Sequence, residues 1–468
     1  MNPQVDIQDG FRDKISTVDQ SGKRVWIFPK KPFGDWYNKR QVLGYILLAF
    51  LFIGPFLKVN GRPLLLLNIL ERKFVILGQI FWPQDLHIFA LGMIVMVVFV
   101  TLFTVVFGRL FCGWVCPQTI FMELVFRRIE YWIEGDWKAQ KKLKSAPWNG
   151  DKLLKKGLKQ SIFWIISFFI ANIFLAYIIG YESLFDIIID DPRKHIGGLV
   201  AILIFSTIFY LVFSKMREQV CTVVCPYGRL QGVLLDKHSL NVIYDDVRGE
   251  DRAKYRKGED RAALGKGDCI DCGQCVQVCP TGIDIRDGIQ LECVNCTACI
   301  DACNFVMDKT GGERGLIRFD STCGVQNQTP FQLTKRARAY LFVLIGLMGL
   351  MSVLLFTRQD VEATILRTRG TLFQDLGDGQ YSNIYDLSIV NKTFEDIPLE
   401  LQVLEGNAKL QLIGDPIQVQ AESEFKGKFM LRISEEQFTS RQLDIRVGIF
   451  QDGQLIDQQI TSFITPRL

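Results

Sequence analysis

Five stretches of this chain are apolar, carry no charged side chain and approach the length that crosses a bilayer, about 20 residues. They are Val42–Leu57, Ile88–Gly108, Ile162–Gly180, Ile196–Phe213 and Ala339–Phe356. Backbone in hydrocarbon must satisfy its own hydrogen bonds, so runs of this kind become helices. The pattern predicts a membrane protein built on a five-helix transmembrane bundle. Residues 1–41 before the first run are polar and basic, which makes that run an uncleaved signal-anchor. Pro63–Pro83 is also apolar-rich, but Glu71, Arg72 and Lys73 sit together at its centre. Three charges in mid-bilayer would cost several kcal/mol, so this stretch is expected to be an interfacial or re-entrant hairpin.

Charge asymmetry orients the bundle. The N-terminal segment carries eight Lys/Arg and the Arg109–Lys159 loop carries eleven, whereas the loop between the third and fourth runs has only Arg193 and Lys194. Positive charge stays inside. The expected layout is a cytoplasmic segment 1–41, four transmembrane helices in two hairpins over 42–214 and a cytoplasmic segment 215–338. A fifth helix over 339–357 then exports 360–468 to the periplasm, as in a bacterial inner-membrane protein. A sixth span at Pro63–Pro83 would send one basic loop outward.

Asp360–Leu468 changes texture. Alternating runs at Tyr385–Val390, Leu399–Leu404, Lys409–Ile413, Phe429–Ile433, Leu443–Phe450 and Gln454–Ile464 are separated by Gly, Asn and Asp. Short strands at this spacing predict an all-β, immunoglobulin-like sandwich. With no Cys or His, the segment suits docking better than metal binding. A formal charge of +4, without a basic stripe, excludes nucleic acid as a partner. Thirteen Cys in 468 residues, clustered as they are, do not form a disulfide scaffold.

The cysteines carry the chemistry. Cys269, Cys272, Cys275 and Cys279-Pro280 repeat as Cys293, Cys296, Cys299 and Cys303, each with three-, three- and four-residue steps. Three Cys at such steps wrap a loop around one face of a cubane, and in two-cluster ferredoxins the fourth Cys serves the other motif. The expectation is a two-cluster ferredoxin-like α+β insert at about 260–310. One [4Fe–4S] cluster would be held by Cys269, Cys272, Cys275 and Cys303, the other by Cys293, Cys296, Cys299 and Cys279. Structural zinc would need two knuckles and no third Cys. Asn304, where such motifs usually have Pro, weakens the local turn and removes no ligand.

A second pair of motifs is rarer. Cys112-Gly-Trp-Val-Cys116-Pro117 follows the second run and Cys221-Thr-Val-Val-Cys225-Pro226 follows the fourth, so the region reads as an internal duplication. On a persisting helical turn each Cys pair would share a face about 5–6 Å apart, and the following Pro ends that turn. Four thiols could then converge at the membrane boundary, where zinc, a further iron–sulfur cluster or Cu(I) would suit them. His87, His195 and His238 lie on different sides of the bundle and cannot ligate haem within it. Cys323, alone, reads as structural. No Gly-x-Gly-x-x-Gly follows a strand, so a bound dinucleotide has no support.

The order of hairpins, Cys-x3-Cys-Pro motifs, ferredoxin repeat, fifth span and exported domain resembles the CcoG/FixG/RdxA family of cytochrome c oxidase accessory proteins. Phe81-Trp-Pro-Gln-Asp85, Phe111–Thr119, Cys225–Gln231 and Gly315–Phe319 look like blocks of that family. The resemblance implies a role in assembling cbb3-type cytochrome oxidase, with an oxidase subunit or assembly factor as partner. It also implies reduction of Cu(II) to Cu(I); with the ferredoxin cysteines taken by iron and the exported segment lacking Cys and His, the soft thiols of Cys112, Cys116, Cys221 and Cys225 are where transient copper is expected. Two alternatives stand beside it: a quinol-to-ferredoxin relay like the NapH and NosR membrane ferredoxins, and a non-catalytic assembly scaffold. The electron donor is not legible.

Overall fold

The computed structural model describes residues 17–466 apart from 20, 60, 61, 70–72, 77, 83, 84, 371, 394 and 422. The chain divides into two compact units, Met1–Gly78 with Phe89–Gly349 and Gln79–Ile88 with Leu350–Leu468. All five apolar runs are helical: α1 (Asp35–Ile53), α2 (Leu86–Phe107), α3 (Gly150–Ile179), α4 (Ile196–Leu211) and α5 (Lys335–Phe356). Each lies in a segment long and apolar enough to cross a membrane, which makes this a multi-pass membrane protein.

The helices outrun the apolar stretches where capping allows it. α3 starts at Gly150 because the Asn149 side chain accepts the Lys152 amide at 2.9 Å, filling one of the open N-terminal donors. It stops at Gly180, whose φ of 83° only glycine adopts without strain. Within the first unit α3 packs on α4 through an aromatic cluster. Phe126 stacks on Phe213 with ring centroids 4.6 Å apart and meets Phe163 edge-on at 4.8 Å. Pro63–Pro83 contains no helix among its described residues. Leu65–Asn68 and Lys73–Ile76 instead pair antiparallel, Leu65 opposite Ile76. Glu71, Arg72 and Pro83 lie outside the described residues.

The α+β insert is framed by an antiparallel pair, Asn241–Tyr244 with Ile317–Asp320. The helices Gln274–Val278 and Ala298–Thr310 pack beneath it, with Ile283, Ile300, Met307 and Leu316 buried. Asn304 makes no turn, contrary to expectation: the second helix runs through Cys303 to Thr310, and the Asn304 side chain accepts the Gly315 amide at 3.1 Å. After Cys279, by contrast, Pro280 supports an ending, and the first helix stops at Val278.

Among its described residues, the second unit forms from Val361 onward a two-sheet sandwich of β1 (Val361–Arg367), β2 (Gln374–Gly377), β3 (Gln380–Asn391), β4 (Ile397–Glu405), β5 (Lys409–Ile413), β6 (Ile417–Val419), β7 (Glu424–Ser434), β8 (Gln442–Gln451) and β9 (Gln454–Ile464). One sheet runs β5-β7-β3-β1 with β2 beside β3, and the other runs β6-β4-β8-β9. Alternating Tyr385, Leu387 and Ile389, with Phe429 and Leu431 of the same sheet, pack with Ile445, Val447 and Ile449 of the other sheet in one buried core. Asp452-Gly453, both with positive φ, close the β8–β9 hairpin, the conformation that an Asp-Gly turn favours.

Asp85 belongs to this unit. It is buried and accepts from Lys392 Nζ at 2.8 Å and Arg358 Nη2 at 2.7 Å. Lys392 also reaches Glu362 at 2.8 Å. The segment entering α2, the end of α5 and β3 are thereby tied by one buried carboxylate.

Candidate iron–sulfur electron-transfer site

The two ferredoxin motifs fold alike. In each, the second residue after the first Cys (Asp271, Asn295) and the fourth (Gly273, Thr297) adopt positive φ, after which a helix carries the third Cys. This alternation curls the backbone into a concavity. A β-branched Thr297 at φ 65° is strained. Its hydroxyl, fully buried, donates to the Cys296 carbonyl at 2.6 Å.

Two hollows result. One is bordered by Cys269, Cys272, Cys275 and Cys303, with Tyr244, Met307 and Leu316 as walls. The other is bordered by Cys279, Cys293, Cys296 and Cys299, and Cys275 touches its rim as well. The fourth Cys of each motif thus reaches the hollow of the other. Burial pushes Cys275, Cys293 and Cys303 up to about 12 and Cys296 to about 11, and holds Cys299 well above the usual thiol range. Such thiols stay protonated until a metal displaces the proton. Walls of sulfur and hydrocarbon around a void fit an iron–sulfur cubane. Among the described residues no three His, Cys, Asp or Glu converge closely enough to hold a single metal ion.

The Cys-x3-Cys-Pro motifs also match each other. The Cys116 amide donates to the Phe111 carbonyl at 2.9 Å and the Cys225 amide to Val220 at 2.8 Å, the same five-residue closure. Both residues then turn extended, and Pro117 and Pro226 start new helices, Pro117–Ile120 and Pro226–Leu234. Proline at the first helical position loses only an amide that would be unpaired anyway. Cys112 donates to Gln231 Oε1 at 3.3 Å. Burial pushes Cys112 up to about 11 and Cys221 up to about 12, and the charges of Cys116 and Cys225 add to both. The structure brings all four thiols into mutual electrostatic range. Cys112 also packs on the apolar cluster around Val294 and Cys296.

Close approach joins the two motif sets. A Cβ on Gly113 would lie 2.3 Å from the Val294 carbonyl, so only glycine lets this loop touch the second ferredoxin motif. Trp114 Nε1 donates to the Asn295 carbonyl at 3.2 Å, and the buried Asn295 side chain donates to Asn241 at 3.1 Å.

Cys323 borders neither hollow; its amide donates to the Lys237 carbonyl at 3.0 Å. His195 lies 3.2 Å from Asp190, and His87 and His238 are exposed.

Sequence reasoning missed a buried ionic network beside the tetrad. Arg217 clasps Glu130 with two bonds of 2.7 and 2.9 Å, Lys159 reaches Glu134 at 2.9 Å, and Arg127 reaches Glu123 at 2.8 Å. Burial raises the Glu130 carboxyl, but Arg217, Lys159 and Arg127 outweigh it and hold Glu130 below the usual carboxylate range. The detectable signal was the i,i+4 pair Glu123/Arg127 in an otherwise apolar segment. Three π-helical turns, Phe121–Phe126, Val212–Met216 and Val220–Val224, border this network, as such turns often border functional sites.

Fold and site define a membrane-bound iron–sulfur electron-transfer protein. Residues 216–322 match the 4Fe-4S dicluster domain family, 89–140 a 4Fe-4S binding domain family, and 351–466 the IG-like fold at the C-terminus of FixG. Protein RdxA of Cereibacter sphaeroides is 34% identical over 406 residues, covering 83% of this chain and 84% of that protein. Protein RdxB of the same organism is 33% identical, covering 85% and 86%. Nitrogen fixation protein FixG of Rhizobium meliloti is 38% identical over 305 residues, 64% of this chain and 57% of FixG. The chain belongs to the FixG/RdxA family. A crystal structure of a FixG-related protein from Vibrio parahaemolyticus covers 23% of this chain and 97% of its own, at 22% identity and a TM-score of 0.20. That likeness is too weak to argue from.

Proposed function

We propose that this protein carries electrons through two [4Fe–4S] clusters and reduces Cu(II) to Cu(I) for the assembly of a cbb3-type cytochrome oxidase. One observation carries the reading: of two cysteine-rimmed hollows, the one bordered by Cys293, Cys296 and Cys299 lies against Cys112 of the thiol tetrad. Cys269, Cys272, Cys275 and Cys303 would hold one cluster, and Cys293, Cys296, Cys299 and Cys279 the other. When bound, the clusters supply single electrons, which is what Cu(II) needs to become Cu(I). The thiols of Cys112, Cys116, Cys221 and Cys225 are soft and favour the reduced ion. The β-sandwich, without Cys or His, has the makings of a docking module for an oxidase subunit or assembly factor. The orientation that suits this division of labour has the clusters in the cytoplasm and the sandwich in the periplasm.

A second reading has one observation in its favour. The 4Fe-4S binding domain match at 89–140 includes Cys112 and Cys116, which favours iron–sulfur over copper at the tetrad. A single experiment separates the two. Replacing Cys112 and Cys116, or Cys221 and Cys225, by Ser should lower Cu(II) reduction at least tenfold in anaerobically purified protein while iron stays near wild type. Wild-type rates in those variants would refute the copper step at the tetrad. Loss of iron would establish the tetrad as an iron–sulfur site.

A further inference from the structure

Four arginines approach the cysteine hollows, and they differ in one respect. Beside the first hollow, Arg286 lies 2.6 Å from Asp284 and 2.7 Å from Asp271, and Arg248 bonds Asp268. Each of these cations is neutralised by its own carboxylate. Beside the second hollow stand Arg40 of α1 and Arg109, which follows α2. They are 3% and 4% exposed, and neither has a carboxylate within ion-pairing distance among the described residues. Arg40 Nε donates to the Gly113 carbonyl at 2.7 Å, where the Cys112–Cys116 loop touches Val294 and Asn295. Arg109 Nη2 donates to the Gly228 carbonyl, and its Nε has no partner. Arg109 acts electrostatically on Cys112 and Cys293 together, and Arg40 acts on Cys296. Glu292 and Tyr227 act on Arg109 less than the two sulfurs do, and Glu123, which acts on Cys296, is already paired with Arg127.

An unpaired buried cation is too costly to persist without a neighbouring anion. A cubane with four thiolates is net anionic in both of its redox states, and it gains a further negative charge on reduction. Cations that face it therefore favour the reduced form, since net charge is one of the determinants of cluster potential. Water at the first hollow, where Cys272 is exposed, screens the matched pairs there. At the second hollow, charge acts across a medium of low dielectric and counts for more.

We infer that Arg40 and Arg109 make the Cys279/Cys293/Cys296/Cys299 centre easier to reduce than the Cys269/Cys272/Cys275/Cys303 centre, so that electrons run from the exposed Cys272 end toward the Cys112/Cys116/Cys221/Cys225 tetrad. The step is one electron: the first centre is oxidised, the second is reduced, and no proton moves. The two arginines are positioning residues for that ladder. The inference rests on the two-cluster reading and adds a direction to it.

The test is a potentiometric titration of anaerobically purified full-length protein in detergent, followed by electron paramagnetic resonance, after iron and sulfide have been counted. Two one-electron steps should appear, separated by at least the tenfold that corresponds to about 59 mV. Cys272→Ser should remove the lower step. Arg40→Gln and Arg109→Gln should each move only the higher step to more negative potential, whereas Arg40→Lys and Arg109→Lys should hold it. Coincident steps, loss of the higher step in Cys272→Ser, or Gln variants of full iron content with an unmoved higher step would each overturn the inference. If the Gln variants shed iron, the Lys variants decide: a held step supports the charge argument and a fallen one overturns it. Wild-type protein with about four irons or none would instead overturn the two-cluster reading beneath it.

Discussion

Replacing Cys303 with Ser tests how the eight ferredoxin cysteines are shared. Cys303 lies one helical turn beyond Cys299 in Ala298–Thr310, yet it borders the first hollow while Cys299 borders the second. If ligation follows the hollows, Cys303→Ser removes one of four ligands from the first cluster and none from the second. Iron should fall from about eight per chain to about four. The exchange of sulfur for oxygen is nearly isosteric, so the helix should survive. The assay is iron and acid-labile sulfide on anaerobic protein, together with the spectrum of the surviving centre. That spectrum should persist in Cys272→Ser and vanish in Cys293→Ser. Cys279→Ser should give the mirror image, sparing the centre that Cys272 serves. If Cys303→Ser and Cys293→Ser leave the same centre behind, each motif holds its own cluster and the hollows have been misread.

Asp85→Asn should loosen the second unit. It leaves Lys392 with Glu362 alone and Arg358 without its carboxylate, and breaking a buried pair with one partner retained costs about 3–5 kcal/mol, or roughly 10–20 °C in the melting of that unit. Burial raises the Asp85 carboxyl, but the Lys392 hydrogen bond, the Trp82 amide and Arg358 bring it below the usual range. Its contribution is therefore full above the unfolded value of about 3.9 and is lost as pH falls through the lower folded value. Wild type and Asp85→Asn should converge in melting temperature at acid pH, and parallel curves down to that pH would refute the assignment. For orientation, a reporter active only in the periplasm should work when fused after Leu468 and be silent after Lys266; the reverse result would overturn the charge-based topology.

Much of the fold was legible because its determinants are local and periodic. A charge-free apolar run must become a helix in hydrocarbon, and all five runs did. The six alternating runs all fall within strands, since period-two burial is imposed by a sheet with one dry face. Of the strands outside those runs, Gln374–Gly377 is polar and Ile417–Val419 has only three residues, whereas Val361–Arg367 is longer and half apolar. Gln374–Gly377 is exposed throughout and is held by its ladder with β3 alone. Asn304 misled for a related reason. The absence of Pro suggested a weak turn, whereas it lets the helix continue and frees the side chain to take the Gly315 amide.

The cysteines were visible because metal ligation demands fixed residue types at fixed steps, but the groups that set their electrostatics obey no such spacing. Arg40 and Arg109 are 69 positions apart and were counted simply as positive-inside charge. Their burial at the second hollow follows from tertiary packing, through Gly113 and Gly228. Arg127 and Lys159 were counted likewise, and both are buried in ion pairs. The basic loop of a membrane protein therefore carries two signals at once. Charge that orients a chain on insertion can afterwards be folded into the site. Exposed Lys138, Lys141 and Lys144 need only the first explanation, whereas an arginine that is 4% exposed and lacks a carboxylate needs an anion beside it. At Arg109 the anion-forming groups that act on it are the sulfurs of Cys112 and Cys293, ahead of Glu292 and Tyr227. The two sets of cysteine motifs are for that reason best regarded as parts of one electrostatic unit.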